Sequence, residues 1–155
     1  MLRALRNTLK TPTLAYCKSK QSQKTLLNRS FFSSAWNPYR ASDIDSNAYH
    51  AHSNETMDTL LENLEELGDN EDYSGFDVEY SSGVLTLKLG DAGTYVINKQ
   101  PPNKQIWLSS PKSGPKRFDY DVDAGKWFYQ RDDHTLDELL NRELSEIFKR
   151  ELKVL

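Results

Sequence analysis

Apolar residues recur along the chain at two different spacings. Over roughly Asn54–Leu67 they return every three or four positions, which predicts an amphipathic helix that stops at Gly68. Its start stays open, because Ser46, Ser53 and Asn54 could each cap it and Tyr49 could extend its apolar face. Over Phe76–Gln130 apolar and polar residues alternate in short runs separated by Gly, Pro and Asp turns, which predicts a meander of antiparallel strands. A second helical pattern follows Thr135, which stands three residues before Glu138, as in a capping box.

The order of these patterns is helix, strands, helix. It predicts an α+β fold over residues 45–155: a two-layer sandwich in which two roughly parallel terminal helices pack on one face of a five- to six-stranded antiparallel sheet. The expected strands are Phe76–Tyr80, Val84–Leu89, Thr94–Gln100, Gln105–Ser110, Arg117–Val122 and Trp127–Gln130. The expected core positions include Met57, Leu60, Leu61, Leu64, Leu67, Leu85, Leu87, Leu89, Phe118, Tyr120, Val122, Leu136, Leu139, Leu140, Leu144, Ile147, Phe148 and Leu152.

Because the helices cover one face of the sheet, the other face meets solvent. In the fourth strand Ile106 and Leu108 point toward the helices, so Trp107 is expected on the open face. The polar residues expected beside it are Gln105, Ser109, Asn98 and Gln100. A tryptophan among amides is typical of a surface that binds a protein partner. Burial of Trp107 beneath the loop Pro111–Lys116 is the alternative.

The outer arc of the first helix is almost entirely acidic. Its members are Glu55, Asp58, Glu62, Glu65, Glu66 and Asp69, and the next strand adds Asp77 and Glu79; we call these eight residues the acidic ridge. Like charges four residues apart repel by about 0.2–0.5 kcal/mol per pair, a cost that bound cations would offset. Carboxylates suit hard cations such as Fe, Mn, Mg or Ca, but their spacing makes no tight cage.

The ridge therefore predicts weak, solvent-accessible metal binding, and a merely solvated helix face is the other interpretation. His50 and His52 stand just before the ridge and either join it or are plain surface histidines.

Charge is distributed unevenly along the chain. Residues 1–40 hold eight Lys or Arg and no acid, a net charge of +8, whereas residues 41–155 hold 12 basic and 23 acidic residues, a net charge of −11. The first segment is amphipathic, Ser-containing and acid-free, which is typical of a mitochondrial transit peptide. The stretch Arg29–Ser34 resembles a matrix processing site, so we expect cleavage between about residues 30 and 51. A disordered basic arm is the alternative.

Composition and motifs exclude several classes of protein. No apolar run approaches the roughly 20 residues that span a bilayer, so no membrane segment is expected. A single cysteine, Cys17, makes neither a disulfide framework nor a Cys-based metal site. The acidic body argues against nucleic acid as the main partner. The sequence also lacks the GxGxxG, P-loop, GxSxG and HExxH motifs.

Three stretches carry a resemblance to a known family. Asn98–Leu108 reads NKQPPNKQIWL, within the longer similar run Gly93–Phe118. It is supported by DTLLENLEEL in the first helix and DVEYSSGVLTL in the first hairpin. Together they resemble the frataxin family of mitochondrial proteins, its fungal members most closely, over nearly all of residues 45–150.

The resemblance implies a role in iron–sulfur cluster assembly in the mitochondrial matrix. The family's iron-binding region matches the acidic ridge, to which we add His50. Its contact surface for the cysteine desulfurase–scaffold complex matches Asn98, Lys99, Gln100, Gln105, Trp107, Ser113 and Arg117. Members are described as accelerating sulfur transfer to the scaffold and as supplying or gating ferrous iron. Ferrochelatase and heme biosynthesis are further expectations, as is a monomer that forms iron-driven oligomers.

Two alternatives stay open beside this accessory role. One is a ferroxidase and iron store, in which carboxylates bind Fe2+ and oxygen oxidises it to Fe3+. The other is an interaction module that works without metal. The chain departs from some fungal relatives in one respect: His52–Glu55 reads HSNE, which is less acidic, so the N-terminal part of the iron site is expected to be weaker.

Overall fold

The computed structural model describes residues 38–155, so the expected leader lies outside the described residues up to residue 37. Within these residues there are two α-helices, six strands and two short 3-10 helices. The α-helices are α1 (Ser46–Asn70) and α2 (Leu136–Phe148), and the strands are β1 (Phe76–Ser81), β2 (Val84–Leu89), β3 (Thr94–Gln100), β4 (Gln105–Ser110), β5 (Gly114–Asp121) and β6 (Lys126–Tyr129). Neither helix is long and apolar enough to cross a membrane.

The six strands form one antiparallel sheet in the order β1-β2-β3-β4-β5-β6. One face packs against α1 and α2 and contains the core, and no helix of residues 38–155 covers the other; we call the second the open face. The prediction of a two-layer α+β sandwich is therefore confirmed. Strand register aligns residues across the sheet, and one row on the open face runs through Val84, Asn98, Trp107 and Arg117.

Helix α1 begins at Ser46, eight residues before the apolar pattern that starts at Asn54, and its cap is Asp45 rather than Ser46, Ser53 or Asn54. The Asp45 carboxylate accepts a hydrogen bond from the backbone N–H of Ala48 at 2.7 Å. The added turns bury Tyr49, whose hydroxyl donates to the carbonyl of Gln105 at 2.9 Å. This bond ties the start of α1 to the start of β4.

Gly68 does not end α1, which continues to Asn70. A Cβ atom at position 68 would lie 2.4 Å from Cε1 of Phe76 on β1. The glycine is needed because helix and edge strand approach closely there, and the prediction of a glycine stop is wrong.

Two predicted strand details also differ. Strand β5 begins at Gly114 rather than at Arg117, so the preceding loop is shorter than predicted. Val122, expected in the core, is 49% exposed because β5 ends at Asp121. The core otherwise contains the expected leucines, together with Tyr49, Tyr95, Ile97, Ile106 and Trp127.

Helix α2 has the predicted capping box. The backbone N–H of Glu138 donates to the Thr135 hydroxyl, and the Thr135 N–H donates to the Glu138 carboxylate. The helix ends at Phe148, earlier than the apolar pattern suggests. Leu152 is still buried, but in an irregular C-terminal segment whose backbone is held by the side chains of Asn141 and Ser145.

Residues 39–44, which we call the N-terminal strap, cross the far edge of the sheet. The backbone N–H of Ser42 donates to the carbonyl of Tyr120, and the Ser42 hydroxyl accepts from the N–H of Val122, both at 2.9 Å. Tyr39 stacks on Phe128, with ring centroids 5.6 Å apart. Phe128 is consequently only 2% exposed although it lies on the open face.

The buried carboxylate Asp121 anchors the strap. It accepts from the backbone N–H of Arg40 at 2.8 Å and from that of Ala124 at 3.1 Å. These bonds, the one from Arg40 first, hold the pKa of Asp121 below its ordinary value.

Candidate functional site

Trp107 lies half-buried near the middle of the open face, held by its neighbours. Its indole Nε1 donates to Oε1 of Gln105 at 2.9 Å, and the guanidinium carbon of Arg117 lies 4.4 Å from the ring centroid. Gln105 is fixed in turn by donating from Nε2 to Asp119 Oδ1 at 2.8 Å. The orientation of the ring is therefore set by side chains from β4 and β5.

The surface beside the Trp107 ring is concave and largely apolar. A shallow groove of about 300 Å³ is lined in part by Val96, Asn98, Pro115 and Trp107 itself. Arg117, and not the loop before β5, covers the ring, so the structure differs from the alternative in which that loop buries Trp107.

The residues predicted to bind a partner do not all share one surface. Asn98, Gln100, Gln105, Trp107 and Arg117 lie on the open face, as the alternation of β3, β4 and β5 requires. Lys99 instead pairs with Ile106 of the core and points to the helix side, where its ammonium donates to the Asn54 side chain on α1. Ser113 lies in the β4–β5 loop, and its hydroxyl oxygen is buried, with no hydrogen-bond partner among residues 38–155.

A buried polar network beneath that loop was missed by the sequence reasoning. Glu143 of α2 is 2% exposed, and its Oε2 accepts from the hydroxyls of Tyr95 at 3.0 Å and Ser110 at 2.6 Å. The Ser110 oxygen also accepts the backbone N–H groups of Lys112 and Ser113, each at 3.0 Å. The network therefore fixes the loop that leads into β5.

The sequence contains one signal for this network, which is the presence of Glu143 within the apolar stripe of α2. Glu143 stands three residues after Leu140 and four after Leu139, so helical spacing directs it at the core. A buried carboxylate requires hydrogen-bond donors. Burial, followed by the charge of Glu143, raises the pKa of Tyr95.

The acidic ridge consists of exposed carboxylates that lie in four different surroundings. Asp58, Glu62 and the nearby Glu55 face outward from α1. Glu65 and Asp69 line a shallow groove of about 460 Å³ together with Asp77. The remaining two members are separate: Glu66 lies in a depression beside Arg150 and Lys153, and Glu79 is exposed on the open face of β1.

Two members of the ridge have identifiable neighbours. Asp77 accepts a hydrogen bond from the ammonium of Lys88 at 2.8 Å, an exposed ion pair across the β1–β2 hairpin. Burial, and then the charge of Asp58, raises the pKa of Tyr80, so Asp58 lies close to β1. The ridge therefore extends from the helix to the edge strand.

The ridge does not enclose a cation. Within residues 38–155, no three His, Cys, Asp or Glu side chains converge closely enough to hold a metal ion. His52 stacks on Tyr120, with ring centroids 4.3 Å apart, and His50 lies edge-on to Tyr49 at 5.3 Å. His52 is therefore directed at β5, in a depression that Glu55 of the ridge also lines. At any point the ridge offers a cation at most one or two of these side chains and water.

Comparison with known proteins agrees with this architecture. The family model of the frataxin-like domain matches residues 42–150. "Frataxin, mitochondrial" of Arabidopsis thaliana is 50% identical over 107 residues, which are 69% of this chain but only 57% of that protein. "Iron-sulfur cluster assembly protein CyaY" of Thioalkalivibrio sulfidiphilus is 38% identical over 98 residues, 63% of this chain and 88% of that protein.

A solved structure resembles the chain at a similar level. The trimeric frataxin of Saccharomyces cerevisiae, complexed with ferrous, aligns with a TM-score of 0.58 and 45% identity over 64% of this chain and 87% of that one. The fold and the matched sequence thus define a frataxin-type α+β domain. The chain belongs to the frataxin-like domain family, which confirms the resemblance seen in its sequence.

Proposed function

We propose that this protein is a mitochondrial iron-binding accessory factor of iron–sulfur cluster assembly. In this role it stimulates sulfur transfer from a cysteine desulfurase to the scaffold protein and supplies or gates ferrous iron. The observation that carries the proposal is the open face, where Trp107 is held half-exposed between Gln105 and Arg117. The names of its relatives, which include frataxin and an iron–sulfur cluster assembly protein, support the same role.

The open face acts as the docking surface for the desulfurase–scaffold complex. Buried aromatic anchors supply much of the binding energy of protein interfaces. Because hydrogen bonding and the Arg117 contact already restrict the Trp107 ring, docking loses little side-chain entropy. Binding that favours one conformation of the scaffold shifts its population toward sulfur acceptance, and the chain itself needs no thiol for that role.

The acidic ridge carries ferrous iron as cargo. Exposed carboxylates are hard ligands that suit Fe2+, and one or two of them with water give weak and rapidly exchanging sites. The same charge attracts a basic surface of the desulfurase. The iron complex of the yeast relative supports the iron part of the proposal, and the resemblance extends it to delivery of iron to ferrochelatase for heme biosynthesis.

The transit peptide for import into the mitochondrial matrix then lies within residues 1–38, and the mature chain begins at or before Tyr39. The acid-free charge of the leader supports import, and the contacts of the N-terminal strap support retention of residues 39–44. The sequence predicts cleavage between about residues 30 and 51, and retention of the strap restricts it to the part of that window before Tyr39.

Reconstituted cluster assembly with desulfurase and scaffold tests the proposal. We expect Trp107→Ala to abolish most of the stimulation, and Thr94→Ala, at the far end of the open face, to leave it unchanged. The paired amides Glu62→Gln and Glu66→Gln should weaken iron-dependent stimulation. Equal stimulation by folded Trp107→Ala and wild-type proteins would rule out docking through this face.

Two other outcomes identify the alternatives. Oxygen uptake during Fe2+ loading that disappears with Glu65→Gln and Asp69→Asn would indicate a ferroxidase and iron store centred on the groove beside β1. Loss of partner binding in the ridge amides, without any effect of iron on the wild type, would indicate a metal-independent interaction module.

A further inference from the structure

A second groove, of about 370 Å³, lies where β6 stops and β5 continues. Strand β6 pairs only with Phe118–Asp121, so among the described residues the outer edge of Gly114–Arg117 has no strand beside it. The groove lies between this free edge and the turn after β6. Its cationic lining residues are Lys116, Arg117 and Arg131.

None of these three cations forms an ion pair with a carboxylate in residues 38–155. The Lys116 ammonium donates to the carbonyl of Ser113 at 3.2 Å and lies 5.4 Å from the ring centroid of Tyr129. Arg117 contacts the Trp107 ring, and Arg131 is exposed. The groove is thus a concentration of positive charge on a domain that is acidic as a whole.

One carboxylate, that of Asp119, also lines the groove, but its Oδ1 is engaged by Gln105. The lining therefore keeps a net positive charge. The groove extends around the free edge, since Lys116 reaches it from the helix side of β5 and Arg117 from the open face. Two guanidinium groups and an ammonium lining one such groove are donors that recognise oxyanions, because the guanidinium fork matches two oxygens of a phosphate.

We propose that this groove binds a compact oxyanion, a phosphate group either free or carried by a small molecule. An extended acidic segment added to the free edge is the competing occupant. Pro115 lies within that edge, and proline, which has no N–H, is typical of sheet edges that are protected against an added strand. A ligand held by side chains at one point meets no such obstacle.

The test is an NMR titration of the isotopically labelled full chain at constant ionic strength, with three probes: inorganic phosphate, pyrophosphate and a hexaglutamate peptide. We expect saturable shifts from both phosphate probes, stronger for pyrophosphate, at the amides of residues 114–117 and 129–131. Lys116→Gln and Arg131→Gln should each raise the dissociation constant about two- to fivefold, as expected for exposed charge contacts. Arg117 is left intact because it holds Trp107.

Arg142→Gln, which removes an exposed cation of α2, is the matched control and should leave the dissociation constant unchanged. Three results would overturn the proposal: no saturable shift with either phosphate probe, equal weakening by Arg142→Gln, or tighter binding of hexaglutamate than of pyrophosphate. The last result would assign the groove to an acidic protein segment.

Discussion

The guanidinium of Arg117 lies 4.4 Å from the ring centroid of Trp107, directly across the β4–β5 ladder. A cation over an indole at an exposed site contributes about 0.5–1 kcal/mol. We therefore expect a double-mutant cycle of Arg117→Ala and Trp107→Ala, measured by urea unfolding, to give a coupling free energy in that range. Thr94→Ala in place of Arg117→Ala should show none, and a coupling of zero for the Arg117 pair would mean that the contact does not order the ring.

The second prediction concerns Glu143, whose carboxylate accepts from both Tyr95 and Ser110. Glu143→Ala leaves two buried hydroxyls without an acceptor, and we expect it to lower the free energy of unfolding by about 2–4 kcal/mol. Glu143→Gln keeps an acceptor oxygen and should cost clearly less. Hydrogen exchange should accelerate at the N–H groups of Lys112 and Ser113 in the alanine variant. Unchanged protection there would show that Glu143 does not stabilise the loop.

The third prediction concerns how stability changes at alkaline pH, where the Tyr95 hydroxyl of the same network ionises in the unfolded chain. The pKa of Tyr95 is raised by burial and by the Glu143 charge, so the folded state favours the neutral phenol. That contribution to stability is complete below the ordinary pKa of 10.0 and is lost as the pH rises above it. Urea unfolding from pH 9 to pH 11 should show a smaller loss of stability in Tyr95→Phe than in the wild type. Identical slopes would contradict this assignment.

The acidic ridge is expected to carry an electrostatic cost. Glu62 and Glu66 are four residues apart on α1 and exposed, so Glu62→Gln should raise the free energy of unfolding by about 0.2–0.5 kcal/mol at low salt while weakening Fe2+ binding. Asp77→Asn is the informative control, because it removes the partner of Lys88 and should give no such gain. Stabilisation that persists in 1 M salt would point away from charge repulsion.

Gly68 allows a prediction whose sign depends on a second residue. Glycine inside a helix normally costs about 1 kcal/mol relative to alanine, but a Cβ at position 68 would lie 2.4 Å from the Phe76 ring. Gly68→Ala should therefore destabilise the wild type by about 1–3 kcal/mol. In a Phe76→Ala background the same change should be neutral or stabilising, and thermal unfolding of the four proteins would show whether the close approach is the cause.

Local patterns predicted what depends on local chemistry. Period-two alternation placed Trp107 and Asn98 on the open face, and helical spacing identified both leucine stripes, because each signal lies within one element. The errors involve contacts between residues on different elements. Gly68 is explained by Phe76 on the next element, and Glu143 by two strands more than thirty residues away.

The same contrast, between signals within one element and contacts between elements, holds for the predicted site residues. The resemblance includes Lys99 among the partner-binding residues, but adjacent strand residues point to opposite faces, so Lys99 lies on the helix side and not beside Asn98 on the open face. The cover of Phe128 by Tyr39 has no local signal, because the two residues are 89 positions apart.

The N-terminal strap makes a final prediction about the mature chain. Ile44 is 7% exposed in the core, and Tyr39, Arg40 and Ser42 contact β5 and β6. Ile44→Ala should lower the free energy of unfolding by about 2–4 kcal/mol, whereas Val122→Ala, at an exposed position, should cost little. A protease that cleaved after Tyr39 would remove the aromatic cover of Phe128, so the protein isolated from mitochondria should begin at or before Tyr39. N-terminal sequencing that found a start between Arg40 and Ala51 would show that the strap is dispensable in the working protein.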